Sequence, residues 1–160
     1  MKVLQASLNV SDMKSLGLPD WPFGMQDVVR FSELDPLNHV NNAAYLSWFE
    51  TARIGYIMEY GLTGMTHTEA DPQIVVRRQL VDYLKPILFG ETYVVAMRST
   101  RVKPSSLVME YRVFVSGECR ATGETVIVSL TQDGTGRQSW RPEAVQRMVE
   151  RDGAKVVGFD

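Results

Sequence analysis

Apolar and aromatic positions recur at intervals of three and four at Tyr45, Trp48, Phe49, Ala52, Tyr56 and Ile57, the spacing of one helix face. The pattern predicts a helix from about Asn42 to Tyr60, stopped by Gly61, because glycine accepts the left-handed conformation that closes helices. Ahead of it QDVVRF, residues 26–31, is short and β-branched and reads as a first strand. Behind it, IVVRRQLVDYL from Ile74, TYVVAMRSTRV from Thr92, SLVMEYRVFV from Ser106 and TVIVSLT from Thr125 read as further strands. In the third of these, Leu107, Met109, Tyr111, Val113 and Val115 alternate with Val108, Glu110, Arg112 and Phe114, the period of a sheet with one buried face. A short last helix is expected from Pro142 to Arg151, with Gly153 as its stop.

One early helix followed by strands joined through turns predicts an α+β domain, mainly antiparallel, with the sheet wrapped around that helix. Gly17, Pro19, Pro22 and Gly24 crowd the first residues, so 1–25 is expected to be an irregular arm and 26–160 a single domain. Long strands leave open edges, which a second copy of the chain commonly covers, and a homo-oligomer follows as an expectation.

Composition narrows the functions that need weighing. Lys and Arg number 17 against 19 Asp and Glu, a formal net charge of -2, so nothing in the balance calls for nucleic acid or an anionic membrane. The one cysteine, Cys119, cannot pair within the chain and fits a reducing cytoplasm. Asp12, Lys14, Asp20 and two prolines interrupt the N-terminal segment, which therefore resembles neither a signal peptide nor a membrane span.

The polar turn DPLNHVNN, residues 35–42, is the main candidate for chemistry. Asp-Pro-Leu-Asn is first of all a good turn, with Asp opening it, proline second and asparagine tolerating positive φ. Alternatively, Asp35 is a carboxylate beside the first turn of a helix, where unpaired N–H groups favour negative charge and an ionised acid serves as nucleophile or general base. Those N–H groups could also stabilise an oxyanion developing on a polarised ester or thioester carbonyl. His39 reads as a hydrogen-bonding support of the turn, and Asn41 and Asn42 as helix caps, with the backbone amide of Asn42 the part of value. Two histidines 28 positions apart and a lone cysteine give no compact zinc spacing. No phosphate loop, G-x-S-x-G elbow or dinucleotide fingerprint occurs.

VVRFSELDPLNHVNNAAYLSWFETAR resembles the opening motif of hot-dog-fold acyl-CoA thioesterases of the 4-hydroxybenzoyl-CoA thioesterase type. VDYLKPILFGETYVVAMRSTRVKPSSLVMEYRVF resembles that family's second block, an aromatic before a proline, a Gly-acid pair and a serine-led strand. The resemblance spans roughly residues 26–132. It implies a five-stranded antiparallel sheet wrapped around one long helix, and a homodimer or homotetramer with sites at the subunit interface. The implied activity is hydrolysis of an acyl-CoA thioester, with no cofactor beyond the coenzyme A of the substrate. On this resemblance the catalytic aspartate falls on Asp35 and the carbonyl-polarising amide on Asn42, with His39 in support. Asn38, Asn41, Tyr45 and Ser106 are the positions expected to face substrate. Asn38 stands where many relatives carry glycine, and asparagine is the next best residue at positive φ, so the departure bears on substrate fit. Two other readings stay open, an acyl-carrier-protein thioesterase and a non-catalytic module that binds acyl thioesters.

Overall fold

A computed structural model describes residues 7–159. Its elements run β1 (Ser7–Leu8), α1 (Val10–Ser15), β2 (Phe23–Val28), a 3₁₀ turn (Phe31–Glu33), α2 (Ala44–Tyr60), β3 (Gln73–Tyr83), β4 (Thr92–Lys103), β5 (Ser106–Val115), β6 (Glu118–Leu130), α3 (Pro142–Asp152) and β7 (Lys155–Val156). The sheet order is β1-β2-β4-β5-β6-β3, with β7 attached in parallel to β4. Among the described residues seven strands thus replace the five expected, because β1 and β7 are two residues each and too short to show a period. Among the described residues no helix is long and apolar enough to cross a membrane.

The described residues form two compact units, one of those up to Gly55 with Val81–Met97 and Tyr111–Gly123, the other of Tyr56–Leu80 with Arg98–Glu110 and those from Glu124 on. In the first, β2 pairs antiparallel with β4 from Phe23↔Met97 to Val28↔Thr92. The strand therefore begins and ends three residues before the expected 26–31. Aromatic side chains of α2 settle on strands here. Trp48 stacks on Tyr93 with ring centroids 3.8 Å apart, and Phe49 on Tyr111 at 4.4 Å. The buried Arg53 donates to the Tyr111 hydroxyl at 3.2 Å, so its charge is held by a polar neighbour.

From Ser7 on, the N-terminal arm is not irregular; residues 1–6 lie outside the described residues. Asn9 Oδ1 accepts from Asp12 N at 3.0 Å while Asp12 Oδ2 accepts from Asn9 N at 2.8 Å, a reciprocal cap that starts α1. Met13, Leu18 and Trp21 then pack with Val94, Ala96 and Phe114, all buried. Phe114, expected on the open face of β5, is covered by this arm. Gly24 marks the closest approach, since a Cβ there would run into Met13 Cε and sit 3.0 Å from the Val95 carbonyl.

In the second unit the C-terminal half of α2 meets α3. Tyr56 and Tyr60 stack at 3.8 Å, and the Asp152 carboxylate accepts from both hydroxyls and, at 2.7 Å, from Ser99 N. Arg147 donates to the Tyr60 carbonyl at 2.9 Å, satisfying one of the acceptors left open where the helix stops. Both expected stops hold, with Gly61 at φ 74 and Gly153 at φ 68.

Candidate functional site

After β2 the chain is tied down step by step. Glu33 receives the Arg30 amide at 2.9 Å through Oε2 and the Trp48 indole N–H at 2.9 Å through Oε1, which fixes the 3₁₀ turn against α2. Asp35–Asn38 then closes as a turn, Asn38 N donating to Asp35 O at 3.0 Å and Asp35 N to His39 O at 2.8 Å. Pro36 suits its second position, and Asn38 takes the left-handed conformation at φ 60, the geometry asparagine tolerates best after glycine. Leu34 and Val40 bridge across its base, while His39 bridges to Leu88.

The Asp35 carboxylate is half-buried, and its two oxygens differ in surroundings. Oδ1 accepts the amides of Leu37 at 2.8 Å and His39 at 3.2 Å, so the turn itself orients the side chain. Oδ2 accepts no hydrogen bond among the described residues.

Helix α2 begins two residues later than its pattern suggested. Asn41 Oδ1 accepts Ala43 N at 2.8 Å and Asn41 O accepts Ala44 N at 2.9 Å, so Asn41 caps a tight first turn. Leu46 N reaches Ala43 O at 3.2 Å instead of bonding four residues back to Asn42. Asn42 is consequently outside the helix ladder. Its N–H makes no hydrogen bond among the described residues, and its carbonyl accepts the Tyr83 hydroxyl at 2.9 Å.

Asp35, His39, Val40, Asn42, Tyr45, Tyr83, Leu84, Lys85 and Pro86 line one groove of about 300 Å³. Tyr45 is 3% exposed, and burial first, then the neighbouring Tyr83, pushes its phenol up to about 12, so it remains neutral at ordinary pH. Tyr83 meets it edge-on at 5.0 Å. The Lys85 ammonium is committed to Glu118, which Arg120 also approaches at 3.2 Å. The residues lining the groove thus include a carboxylate with one oxygen, and a main chain with one N–H, that make no hydrogen bond among the described residues, together with two neutral phenols. That set can accept a proton and receive a developing negative charge.

Residues 29–149 match the profile of the Thioesterase-like superfamily. The chain belongs to that family. A thioesterase superfamily protein from Jannaschia sp. CCS1, known from a crystal structure, is 31% identical with a TM-score of 0.90, over 95% of this chain and 97% of that one. A thioesterase from Thermus thermophilus, crystallised with coenzyme A and Zn, is 40% identical with a TM-score of 0.67, over 81% and 93%. Uncharacterized protein YsmA of Bacillus subtilis (strain 168) is 30% identical over 122 residues, 76% of this chain and 81% of its own. The fold is therefore the thioesterase-like hot-dog fold, and membership in the family points to thioester hydrolysis.

Within this thioesterase-family groove the expected residues separate. Asp35, His39, Asn42 and Tyr45 share it, whereas Asn38 and Asn41 shape the turns at its mouth without lining it. Ser106 opens β5, where its carbonyl accepts the Trp140 indole N–H at 3.4 Å, and it does not line the groove. Tyr83 and Lys85 line it without having been singled out as site residues. Their only trace in the sequence is the aromatic before Pro86, which reads as a mark of the fold. No group of three or more His, Cys, Asp or Glu able to hold a metal ion occurs among the described residues, so a zinc donor set is not found there.

Proposed function

We propose that the protein hydrolyses an acyl-CoA thioester to the free acid and coenzyme A, in the manner of the 4-hydroxybenzoyl-CoA thioesterases. The observation that carries this reading is one groove lined both by Asp35, whose Oδ2 accepts no hydrogen bond among the described residues, and by Asn42, whose N–H donates none there. In this reading the thioester carbonyl oxygen accepts the Asn42 N–H while its carbon faces the Asp35 carboxylate. Asp35 either adds directly, giving an anhydride that water then cleaves, or takes a proton from water as the water oxygen adds. In both routes the C–S bond breaks, the thiolate leaves as coenzyme A and takes up a proton, and the acid remains. His39, whose amide and carbonyl both bond Asp35, holds the turn in place. The coenzyme A bound by the Thermus relative supports CoA as the leaving group.

A thiol-release assay over aliphatic and aromatic acyl-CoAs tests the proposal. Turnover of at least one acyl-CoA is expected, faster than of the same acyl group on a carrier protein. Faster carrier-protein hydrolysis would move the substrate to that class, and tight binding without release over the panel would make the protein a binding module.

We also propose a cytoplasmic homodimer or homotetramer. Phe31 at 77%, Leu37 at 73% and Phe89 at 60% exposure leave apolar surface that a second copy would cover, with Phe31 and Phe89 edge-to-face at 5.9 Å. Sedimentation velocity at micromolar concentration should give two or four times the 18.1 kDa chain mass; a monomer would overturn this assembly.

A further inference from the structure

We infer that Tyr83 is a positioning residue for thioester hydrolysis, its phenol setting the orientation of Asn42 and so the direction of the oxyanion-binding N–H. The inference rests on the hydrolase reading above. Asn42 sits between a cap and a helix and belongs to neither ladder. Its N–H has no partner among the described residues, and Leu46, which a regular α-turn would bond to the Asn42 carbonyl, bonds Ala43 instead. The Tyr83 hydroxyl, 2.9 Å from that carbonyl, is the only hydrogen bond to the Asn42 main chain among those residues.

The Asn42 N–H belongs to the Asn41–Asn42 peptide, tied within the turn by Ala44 N on Asn41 O at 2.9 Å. The Asn42 carbonyl belongs to the next peptide, tied by Ala43 N on Asn41 Oδ1 at 2.8 Å. The Tyr83 hydroxyl is the bond that ties this second peptide to β3, and an amide that must meet a developing oxyanion loses effect when the turn carrying it tilts away. Tyr83 is well suited to restrain it. The residue ends β3, so its backbone belongs to a rigid element, and its ring is braced edge-on against the buried Tyr45. A hydroxyl acting through a carbonyl does not touch the thioester. Its removal should slow turnover and leave substrate affinity in place.

Tyr83→Phe keeps the ring and deletes only the hydroxyl of a half-exposed residue, so folding is not at stake. In the thiol-release assay kcat should fall about tenfold, the worth of one hydrogen bond, with KM and the melting temperature unchanged. The amide resonance of Asn42 in a ¹⁵N correlation spectrum should move in the free protein, which a role confined to packing would not require. A kcat within twofold of the unaltered protein, or an unmoved Asn42 resonance, overturns the assignment while hydrolysis stands. An unaltered protein inert toward every thioester overturns the hydrolase reading and this assignment with it.

Discussion

Asp35→Asn should abolish most thioester hydrolysis, by about a hundred- to ten-thousandfold in kcat, the range over which a positioned acid–base group contributes. The substitution is chosen for what it preserves. Asparagine has the same shape, and its Oδ1 can still accept the Leu37 and His39 amides that hold the turn at 2.8 and 3.2 Å. What disappears is the basic second oxygen, replaced by an NH₂ that can neither take a proton from water nor attack carbon. Stability should stay within about 0.5 kcal/mol, since the hydrogen-bond pattern is conserved at a half-buried position. Binding of the acyl-CoA should change little, because the groove walls Tyr45, Tyr83 and Pro86 are untouched. Turnover retained to within a few-fold in the purified variant would remove Asp35 from the mechanism. By contrast Asn42→Ala should do little, because the proposed donor is a main-chain group that side-chain truncation leaves in place.

The parts of the fold that repeat were legible in the sequence, and the parts that depend on a single distant partner were not. Six apolar positions at helical spacing sufficed to find α2, since Tyr45, Trp48, Phe49, Ala52, Tyr56 and Ile57 are all buried. The inward side of β5 was equally plain from Leu107 to Val115. Helix α1 escaped because its six residues bury Met13 alone, too few for a period, and only its Asn9–Asp12 cap gives it away. The start of α2 was placed early because both Asn41 and Asn42 are good caps. Only the hydrogen bonds show that Asn41 does the capping and leaves the Asn42 N–H without a partner among the described residues.

In the site the same division applies. Asp35, His39 and Asn42 lie within one turn, and local spacing brings them together whatever the rest of the chain does. Tyr83 reaches Asn42 across 41 residues, and nothing in YLKP announces where the preceding strand will end. Ser106 was grouped with the site by resemblance to a block of sequence, yet its partner in the fold is Trp140. Family blocks preserve the order of elements, but which side chains converge on a groove is decided by strand registers that no short motif encodes.

Asp71→Ala should destabilise the fold by about 2–4 kcal/mol, because one carboxylate organises a whole connection. Asp71 is 2% exposed and accepts from Gly64 N at 3.0 Å, Thr66 N at 2.8 Å, Thr66 Oγ1 at 2.5 Å and Arg141 Nη2 at 2.6 Å. Its own carbonyl receives Gln132 Nε2 at 3.1 Å. The loop it gathers, between α2 and β3, holds Met65 at φ 53 and His67 at φ 56, left-handed conformations that cost energy in residues with a Cβ. These amides, first that of Gly64 and then the Thr66 hydroxyl and amide, hold the carboxyl well below the usual carboxylate range. The sign of the pH dependence follows. Because the folded form releases its proton more readily than the unfolded chain, this stabilisation is complete above the unfolded carboxyl's pKa near 4 and declines as pH falls below it. Urea unfolding should therefore show the gap between the unaltered protein and Asp71→Ala at its full value at neutral pH, narrowing from about pH 5 toward about pH 3. A gap of the same size at both ends of that range would mean that the side chain stabilises the loop by packing, with its charge irrelevant.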